Sequence, residues 1–464
     1  MIILKKKEFF DSLKNRRVAV CGIGKNNVPV IFQLLKHGAN VVACDCRTRE
    51  QLGETASKLE CANVRLRLGS DYLDYLERDG VDLILRTPGM KPYLPQFEAA
   101  RRRGIVVTSE MELFFLLCPA HITAVTGSDG KTTTTTIVAG MLKAAGYRVH
   151  VGGNIGRPLL PVLNEIIPDD QVVVELSSFQ LTGMTQSPNT AVITNIAPNH
   201  LDWHTDMCEY INAKKNLIEW QTADDCAVLN ADNQYTARFA ENAKAQVSLF
   251  SRHIKPQRGA WLSPEGQLIM TADGVDIPIV AQENIFLPGA HNTENYLAAI
   301  SAVWGRVSPQ IIAEFAHSFA GVPHRCELVR ELDGVKWYND SIGTSPSRTI
   351  AGLEAFKQKV ILIAGGYDKH ISYEPLGPVA AKTVKEAVLM GDTADAIETA
   401  IKDCSNISVH RVNSMEQAVK AARKIARNGD IVFMSPASAS FGLYKNFEER
   451  GEHFRRLVMS LSEK

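Results

Sequence analysis

Residues 122–137 read ITAVTGSDGKTTTTTI. An apolar run of strand character stops at Gly127, and a short turn through Gly130 delivers a lysine and a row of threonines to the start of a helical pattern. A strand, a glycine turn and a helix entry in that order commit the chain to a parallel α/β layout, because strand exit and helix entry must share one sheet edge. Gly127 and Gly130 let backbone N–H groups turn toward an anion, and the helix end adds its positive dipole. Lys131 then supplies charge to outer phosphates and Thr132 a hydroxyl for Mg2+. Val125 stands where the common GxxxxGK[ST] pattern has its first glycine, so the loop is a shortened one. The parts that the chemistry needs are still present. Asp129 is an extra carboxylate that has to point away from phosphate.

The same unit recurs on both sides. RVAVC (17–21) runs into GIGKNN and the helical stretch VPVIFQLLKHG, and NVVACD ends at Asp45. Gly22 and Gly24 followed about twenty residues later by an acidic residue is the spacing of a dinucleotide-type turn. Asn27 replaces the third glycine, so a plain strand–helix turn fits equally well. DLILRTPGM and GIVVTSE add strands, QVVVELSS and TAVITNI extend the central set, and VKWYNDS, KVILIAGG, EAVLMG and DIVFMSPAS form a third series. Residues 247–288 alternate in short stretches and predict a small β element beside the main sheet, followed by a helix over 292–307. The expected architecture is three consecutive α/β domains: a Rossmann-like one over 1–110, a central P-loop ATPase-like one over 111–321 and a second Rossmann-like one over 322–464.

Composition enters as exclusion. Lys+Arg and Asp+Glu both number 51, which removes the electrostatic case for a nucleic-acid partner. The opening MIILKKKEFFDSLKNRR lacks the apolar core of a signal peptide, and no apolar run reaches membrane-spanning length, so a cytoplasmic, membrane-free protein is expected. Nine cysteines without a CxxC pair read as reduced structural thiols.

Two further positions carry chemistry. Glu175 ends the apolar strand VVVE, where a carboxylate can hold Mg2+ or cap the next helix. His200 and Asp202 follow TAVITNI; the histidine alone would read as structural.

Taken together, TGSDGKTT, GGNIG, ELSSFQL, NHLDWH, the NAK ending at Lys214, LPGAHNTEN, PHRCE, YNDSIGTSP and SPASASFGLYKNFEERGEHF occur in the order seen in the Mur ligases, which the chain resembles over nearly its whole length. The resemblance implies an ATP-dependent, amide-bond-forming ligase of peptidoglycan precursor synthesis that works through an acyl phosphate. YKNFEERG points to addition of D-glutamate to UDP-N-acetylmuramoyl-L-alanine. The alternatives are a sister ligase or folylpolyglutamate synthetase adding another amino acid, or a nucleotide-binding regulatory protein.

By the same resemblance, Gly127, Ser128, Asp129, Gly130, Lys131, Thr132 and Thr133 hold the ATP phosphates, with Asn292, Asn295, Arg325 and Asp340 toward the adenosine. Two Mg2+ ions are implied, one on Thr132 and Glu175, the other on His200 and a carbamylated Lys214; Lys131, His200 and Lys214 are the implied catalytic set. The UDP-sugar is implied along Gly22, Gly24, Lys25, Asp45, Arg47, Thr87 and Gly89, with Asn154 and Ser177 at its muramoyl end. D-Glutamate is implied at Thr344, Lys369, Ser440 and Phe447. The partners implied are these small molecules only, for a monomeric enzyme. Ile342 departs from the pattern, since many relatives carry lysine after Asp340-Ser341, and Asn27 departs in the first glycine turn.

Overall fold

The computed structural model describes residues 2–24, 26–76, 80–201, 203–285, 289–319, 321–369, 371–440 and 442–463, with side chains from residue 6 onward. The chain divides into two compact units, Met1–Ser318 and Phe319–Lys464.

The first unit opens with β1 (Arg17–Cys21), β2 (Asn40–Asp45), β3 (Arg65–Leu68), β4 (Leu83–Arg86) and β5 (Val106–Ser109), in the order β3-β2-β1-β4-β5. Every pairing is parallel. The near-continuous apolar runs are explained by burial of both faces, as parallel sheets require. Successive side chains alternate between faces: Ala19 and Cys21 join Ile84 and Phe97 in one cluster, while Val18 and Val20 join the other. That second cluster continues into a second sheet through Ala124, Val172 and Ile193, so both sheets of this unit share a core.

The second sheet holds β6 (His121–Thr126), β7 (Val149–Gly153), β8 (Gln171–Glu175), β9 (Thr190–Ile193), β10 (Cys226–Asn230) and β11 (Gln246–Phe250), in the order β11-β10-β9-β6-β8-β7. It too is parallel throughout. Here the expectation for 247–288 needs correction. Its first apolar run is the edge strand β11 of the main sheet, because helix Gln234–Ala240 carries the chain back to run parallel to β10. Only β12 (Gly259–Leu262), β13 (Gln267–Ala272) and β14 (Val275–Ala281) form the separate antiparallel meander. The helix expected over 292–307 runs Ala290–Val303 and stops where Trp304 turns extended.

The second unit contains β15 (Glu327–Leu332), β16 (Val335–Asn339), β17 (Val360–Ala364), β18 (Val384–Leu389), β19 (Ser408–Arg411) and β20 (Ile431–Met434), ordered β15-β16-β20-β17-β18-β19. All neighbours are parallel except the β15–β16 hairpin. That hairpin turns at Asp333-Gly334, both at positive φ (51° and 69°), the backbone that a two-residue hairpin loop demands. Insertion of β20 between β16 and β17 makes a topological switch point there. None of the helices among the described residues is long and apolar enough to cross a membrane.

Candidate active site

In an open parallel sheet, ligands bind beyond the carboxyl ends of the strands where the strand order reverses. The central sheet has such a place around β6, whose neighbours β8 and β9 both come later in the chain. The loop Gly127–Gly130 leaves β6 here and feeds helix Lys131–Ala144.

The loop's shape is imposed by what surrounds it. Gly130 has φ of 77°, and a Cβ on it would strike the Asn295 side-chain oxygen; a Cβ on Gly127 would strike the Thr194 hydroxyl. Thr194 Oγ1 donates to the Asp129 carbonyl at 2.6 Å, and Asp129 N–H donates to Asn195 Oδ1 at 2.9 Å. Ser128 Oγ lies 2.8 Å from the Tyr210 hydroxyl and donates to Ala197 O at 2.9 Å. Asp129 itself is exposed, and its charge is felt by Lys214 and Tyr210. Thr194, Asn195 and Tyr210 were missed in the sequence; the first two lie in TNI after an apolar strand, a position that earns attention once that strand is known to flank β6.

Lys131 Nζ donates to Gly127 O and Ser128 O, at 2.9 and 2.8 Å, within its own loop. Thr132 Oγ1 donates to Glu175 Oε2 at 2.7 Å, and Asn154 Nδ2 donates to Glu175 Oε1 at 2.9 Å. Glu175 is 2% exposed, and its two side-chain donors are neutral. A buried carboxylate answered only by neutral donors, beside a helix N-terminus, suits a divalent cation. Thr133 is buried at the start of the helix.

Lys214 lies on helix Met207–Glu219 and is 1% exposed. Its Nζ donates to Gly127 O at 2.8 Å and sits 4.7 Å from the centre of the Tyr210 ring. Burial first, then the nearby Lys131 charge, pulls its pKa from 10.5 to about 7. A neutral amine is therefore accessible near neutral pH, the form needed to attack CO2. His200 stands on the turn after β9, exposed, at a φ of 55°, with its ring 5.0 Å from that of Phe179. Among the described residues there is no group of three His, Cys, Asp or Glu poised to hold a metal. The oxygen donors of Thr132 and Glu175 are compatible with Mg2+, which keeps waters and phosphate oxygens as ligands.

Asn295 is buried, with its Oδ1 accepting from Thr134 Oγ1 at 3.2 Å and its Nδ2 directed to Asn292 Oδ1 at 3.3 Å. Its side-chain oxygen also packs directly against Gly130. Asn292, at the same helix start, is half-buried. Ser177 caps helix Ser178–Leu181 in a capping box with Gln180, so its hydroxyl is engaged structurally.

On the first sheet the turns after β1 and β4 meet at the β1/β4 switch point. Gly22 has φ of 97°, and a Cβ there would lie 2.8 Å from Thr87 Cβ. Gly24 faces open space. Asn27 donates to Gly22 O at 2.8 Å, so this departure from glycine fastens the turn. Asp45 accepts from Ile23 N–H at 2.7 Å and from Arg47 Nε at 2.8 Å. Burial opposes its ionisation, but the Arg47 and backbone hydrogen bonds outweigh it and hold the carboxyl below its ordinary value. Gly89 O accepts from Trp203 Nε1 at 3.1 Å. Lys25 lies outside the described residues, as does Asp202.

In the second unit, three turns gather at the β16/β20/β17 edge. Lys369 Nζ donates to Thr344 O at 3.2 Å. Ser440 is buried in the turn after β20, and Phe447 opens helix Phe447–Met459 with its carbonyl accepting from Ser341 Oγ at 2.7 Å. Arg450, quoted in the sequence only as part of a motif, is what joins these turns: it donates to Ser341 O at 2.9 Å and to Ser438 O and Ala439 O at 3.1 Å. Asp340 is buried and accepts from Ser435 Oγ at 2.7 Å; burial pushes its pKa up to about 6 against these hydrogen bonds and the charge of the exposed Arg325.

The fold and this site define a nucleotide-binding α/β protein whose phosphate loop is backed by a buried carboxylate and a buried lysine. Residues 125–303 match the Mur ligase middle domain, and residues 324–438 match the Mur ligase glutamate ligase domain. The chain is 50% identical over 465 residues to a UDP-N-acetylmuramoylalanine--D-glutamate ligase from Acetivibrio thermocellus, covering 98% of this chain and 99% of that protein. It is 47% identical to the protein of the same name from Clostridium novyi, with the same coverage. Among solved structures, the UDP-N-acetylmuramate-alanine ligase of Thermotoga maritima shares the fold at 17% identity and a TM-score of 0.56, covering 96% of this chain and 99% of that one. The MurF ligase of Thermotoga maritima in complex with ADP does so at 18% identity and a TM-score of 0.51, covering 97% and 96%. The chain belongs to the Mur ligase family.

Proposed function

We propose that this chain is the ATP-dependent ligase that joins D-glutamate to UDP-N-acetylmuramoyl-L-alanine in peptidoglycan precursor synthesis. The observation that carries this is the end-to-end identity with relatives bearing that name, 50% over 98% of the chain. The reading has three parts along the chain: residues 1–110 take the UDP-sugar, 111–321 take ATP and 322–464 take the amino acid.

In this reading the backbone N–H groups of Gly127–Thr133 surround the ATP phosphates, and Lys131 exchanges the carbonyls it now holds for outer phosphate oxygens. The alanyl carboxylate attacks the γ-phosphorus, giving an acyl phosphate and ADP. The amine of D-glutamate then attacks the acyl carbon, the C–N bond forms and phosphate leaves. No protein nucleophile is needed, because positioning and charge neutralisation carry such a transfer.

Thr132 and Glu175 would hold one Mg2+, and His200 with a carbamylated Lys214 a second; bound Mg2+ neutralises charge on the phosphate oxygens. The depressed pKa of Lys214 suits such a carbamate: the free amine would add to CO2, lose a proton and turn a repelling ammonium into an anionic oxygen donor. Asn292, Asn295, Arg325 and Asp340 are assigned to the adenosine end. Gly22, Gly24, Lys25, Asp45, Arg47, Thr87 and Gly89 are assigned to the UDP, Asn154 and Ser177 to the muramoyl end, and Thr344, Lys369, Ser440 and Phe447 to D-glutamate. The enzyme acts in the cytoplasm as a monomer; sedimentation of the purified chain checks the oligomeric state.

The direct test offers ATP, Mg2+ and UDP-N-acetylmuramoyl-L-alanine with D-glutamate, L-glutamate or L-lysine in turn. Phosphate release with D-glutamate alone is expected. Release with L-lysine in its place would assign the chain to a sister activity, and ATP hydrolysis without acceptor or amino acid would mark a regulator.

A further inference from the structure

The turn Ser341–Thr344, which follows β16, is held by three cations at three carbonyls. Arg450 donates to Ser341 O at 2.9 Å, Arg348 Nη1 to Ile342 O at 3.5 Å and Lys369 Nζ to Thr344 O at 3.2 Å. Among the described residues no carboxylate forms a salt bridge with Arg348, Lys369 or Arg450; all their acceptors are neutral oxygens. Three positive charges around one turn repel each other; the turns that Arg450 joins and the nearby Asp340 carboxylate account for Arg450 but leave Arg348 and Lys369 to be explained. The Lys369 ammonium registers this: its pKa is lowered by burial first, then by Arg450 and Arg348.

Arg348 is the least explained of the three on structural grounds. It is exposed, and it sits in the first turn of helix Pro346–Glu354, whose N-terminus carries no acidic residue. A cation there opposes the helix dipole, a position that costs rather than adds stability. Arg450 is buried and spends all its bonds on the turns, whereas Arg348 and Lys369 keep donors for a ligand.

We propose that Arg348 is a specificity-determining residue of the amino-acid site, pairing with Lys369 to bind the side-chain carboxylate of an incoming acidic amino acid. The inference rests on reading this edge as the D-glutamate site and adds to it a residue that the family resemblance did not supply. Two cations around one carboxylate select a dianionic amino acid over a neutral one, because a neutral side chain would leave both charges unanswered.

The test is steady-state phosphate release by the full chain in Arg348→Gln and Arg348→Lys variants, titrating D-glutamate, ATP and UDP-N-acetylmuramoyl-L-alanine separately. Arg348→Gln is expected to raise the KM for D-glutamate by about 10- to 100-fold, the effect of one charge-assisted hydrogen bond. The other two KM values stay unchanged, and Arg348→Lys recovers most of the loss. An unchanged KM for D-glutamate, an equal loss in both variants, or a rise in all three KM values would overturn the assignment. A wild-type chain that releases phosphate with a different amino acid instead would count against the proposed function, a result separable from these.

Discussion

Lys214 and Lys131 converge on a single carbonyl oxygen: the Nζ of each donates to Gly127 O, at 2.8 and 2.9 Å. One acceptor shared by two ammonium groups, one of them 1% exposed, is an electrostatic conflict built into the phosphate loop. It is relieved either by an anion arriving in the loop or by loss of the Lys214 proton.

The second route gives a pH signature. The folded-state pKa of Lys214 is about 7 against an ordinary 10.5, so between those values the unfolded chain binds more protons and stability rises with pH. Below pH 7 both states are protonated and the whole penalty is present. In CO2-free buffer, Lys214→Met should therefore be more stable than wild type at pH 6 by several kcal/mol, with the gap closing toward pH 10. Urea denaturation at stepped pH measures this, and a gap independent of pH would refute it. Lys214→Ala should also lose turnover by on the order of 100-fold, with partial recovery on addition of a small carboxylic acid.

Glu175 tests the metal side. Glu175→Gln keeps an oxygen for one donor but removes the buried charge that Thr132 and Asn154 flank. Turnover should fall about 100- to 1,000-fold, with a higher Mg2+ concentration needed for half-maximal rate. Binding of UDP-N-acetylmuramoyl-L-alanine, measured calorimetrically without ATP, should be unaltered. An unshifted Mg2+ requirement would move the ion elsewhere.

Gly130 and Asn295 should prove energetically coupled. An alanine at 130 meets both a φ of 77° and the Asn295 side-chain oxygen. Gly130→Ala should cost about 2–4 kcal/mol, strain plus overlap. Adding Asn295→Ala removes the overlap but leaves the strain, so the double variant should cost at least about 1 kcal/mol less than the sum of the two single costs. Thermal denaturation of all four proteins completes the cycle; simple additivity would mean that the two do not share the space.

What the sequence discloses and what it hides have physical causes. Strands β1, β6, β8 and β17 are apolar on both faces and end in glycine or acidic punctuation, so they stand out as runs. The strands β3 (RLRL) and β19 (SVHR) are half-exposed edges whose charged residues mask them. The meeting of Thr132 with Glu175 was legible because each sits at a strand or helix end on one sheet edge. Arg348 and Arg450 were not, since an arginine within a helical segment reads as a solvated charge until its helix is known to end at the switch point. Asn27 looked like a defect in a glycine turn because sequence cannot show its amide reaching Gly22 O.

Trp203 offers a last test, of how the turn after β4 is tied to the segments that carry His200 and Lys214 inside the first unit. Its Nε1 donates to Gly89 O at 3.1 Å, its ring lies 5.0 Å below the Lys91 ammonium, and its own backbone N–H closes the turn on His200 O at 3.1 Å. Lys91 also pairs with Glu209 at 3.6 Å, five residues before Lys214 on the same helix. The turn that carries Thr87 and Gly89 is thus fastened to the segments that carry His200 and Lys214. Trp203→Phe keeps an aromatic ring, though a smaller one, and deletes the N–H. The KM for UDP-N-acetylmuramoyl-L-alanine should rise about 5- to 10-fold, the worth of one hydrogen bond of about 1 kcal/mol, while the KM for D-glutamate holds. If both constants hold, Gly89 is positioned without Trp203 and the two ends work independently.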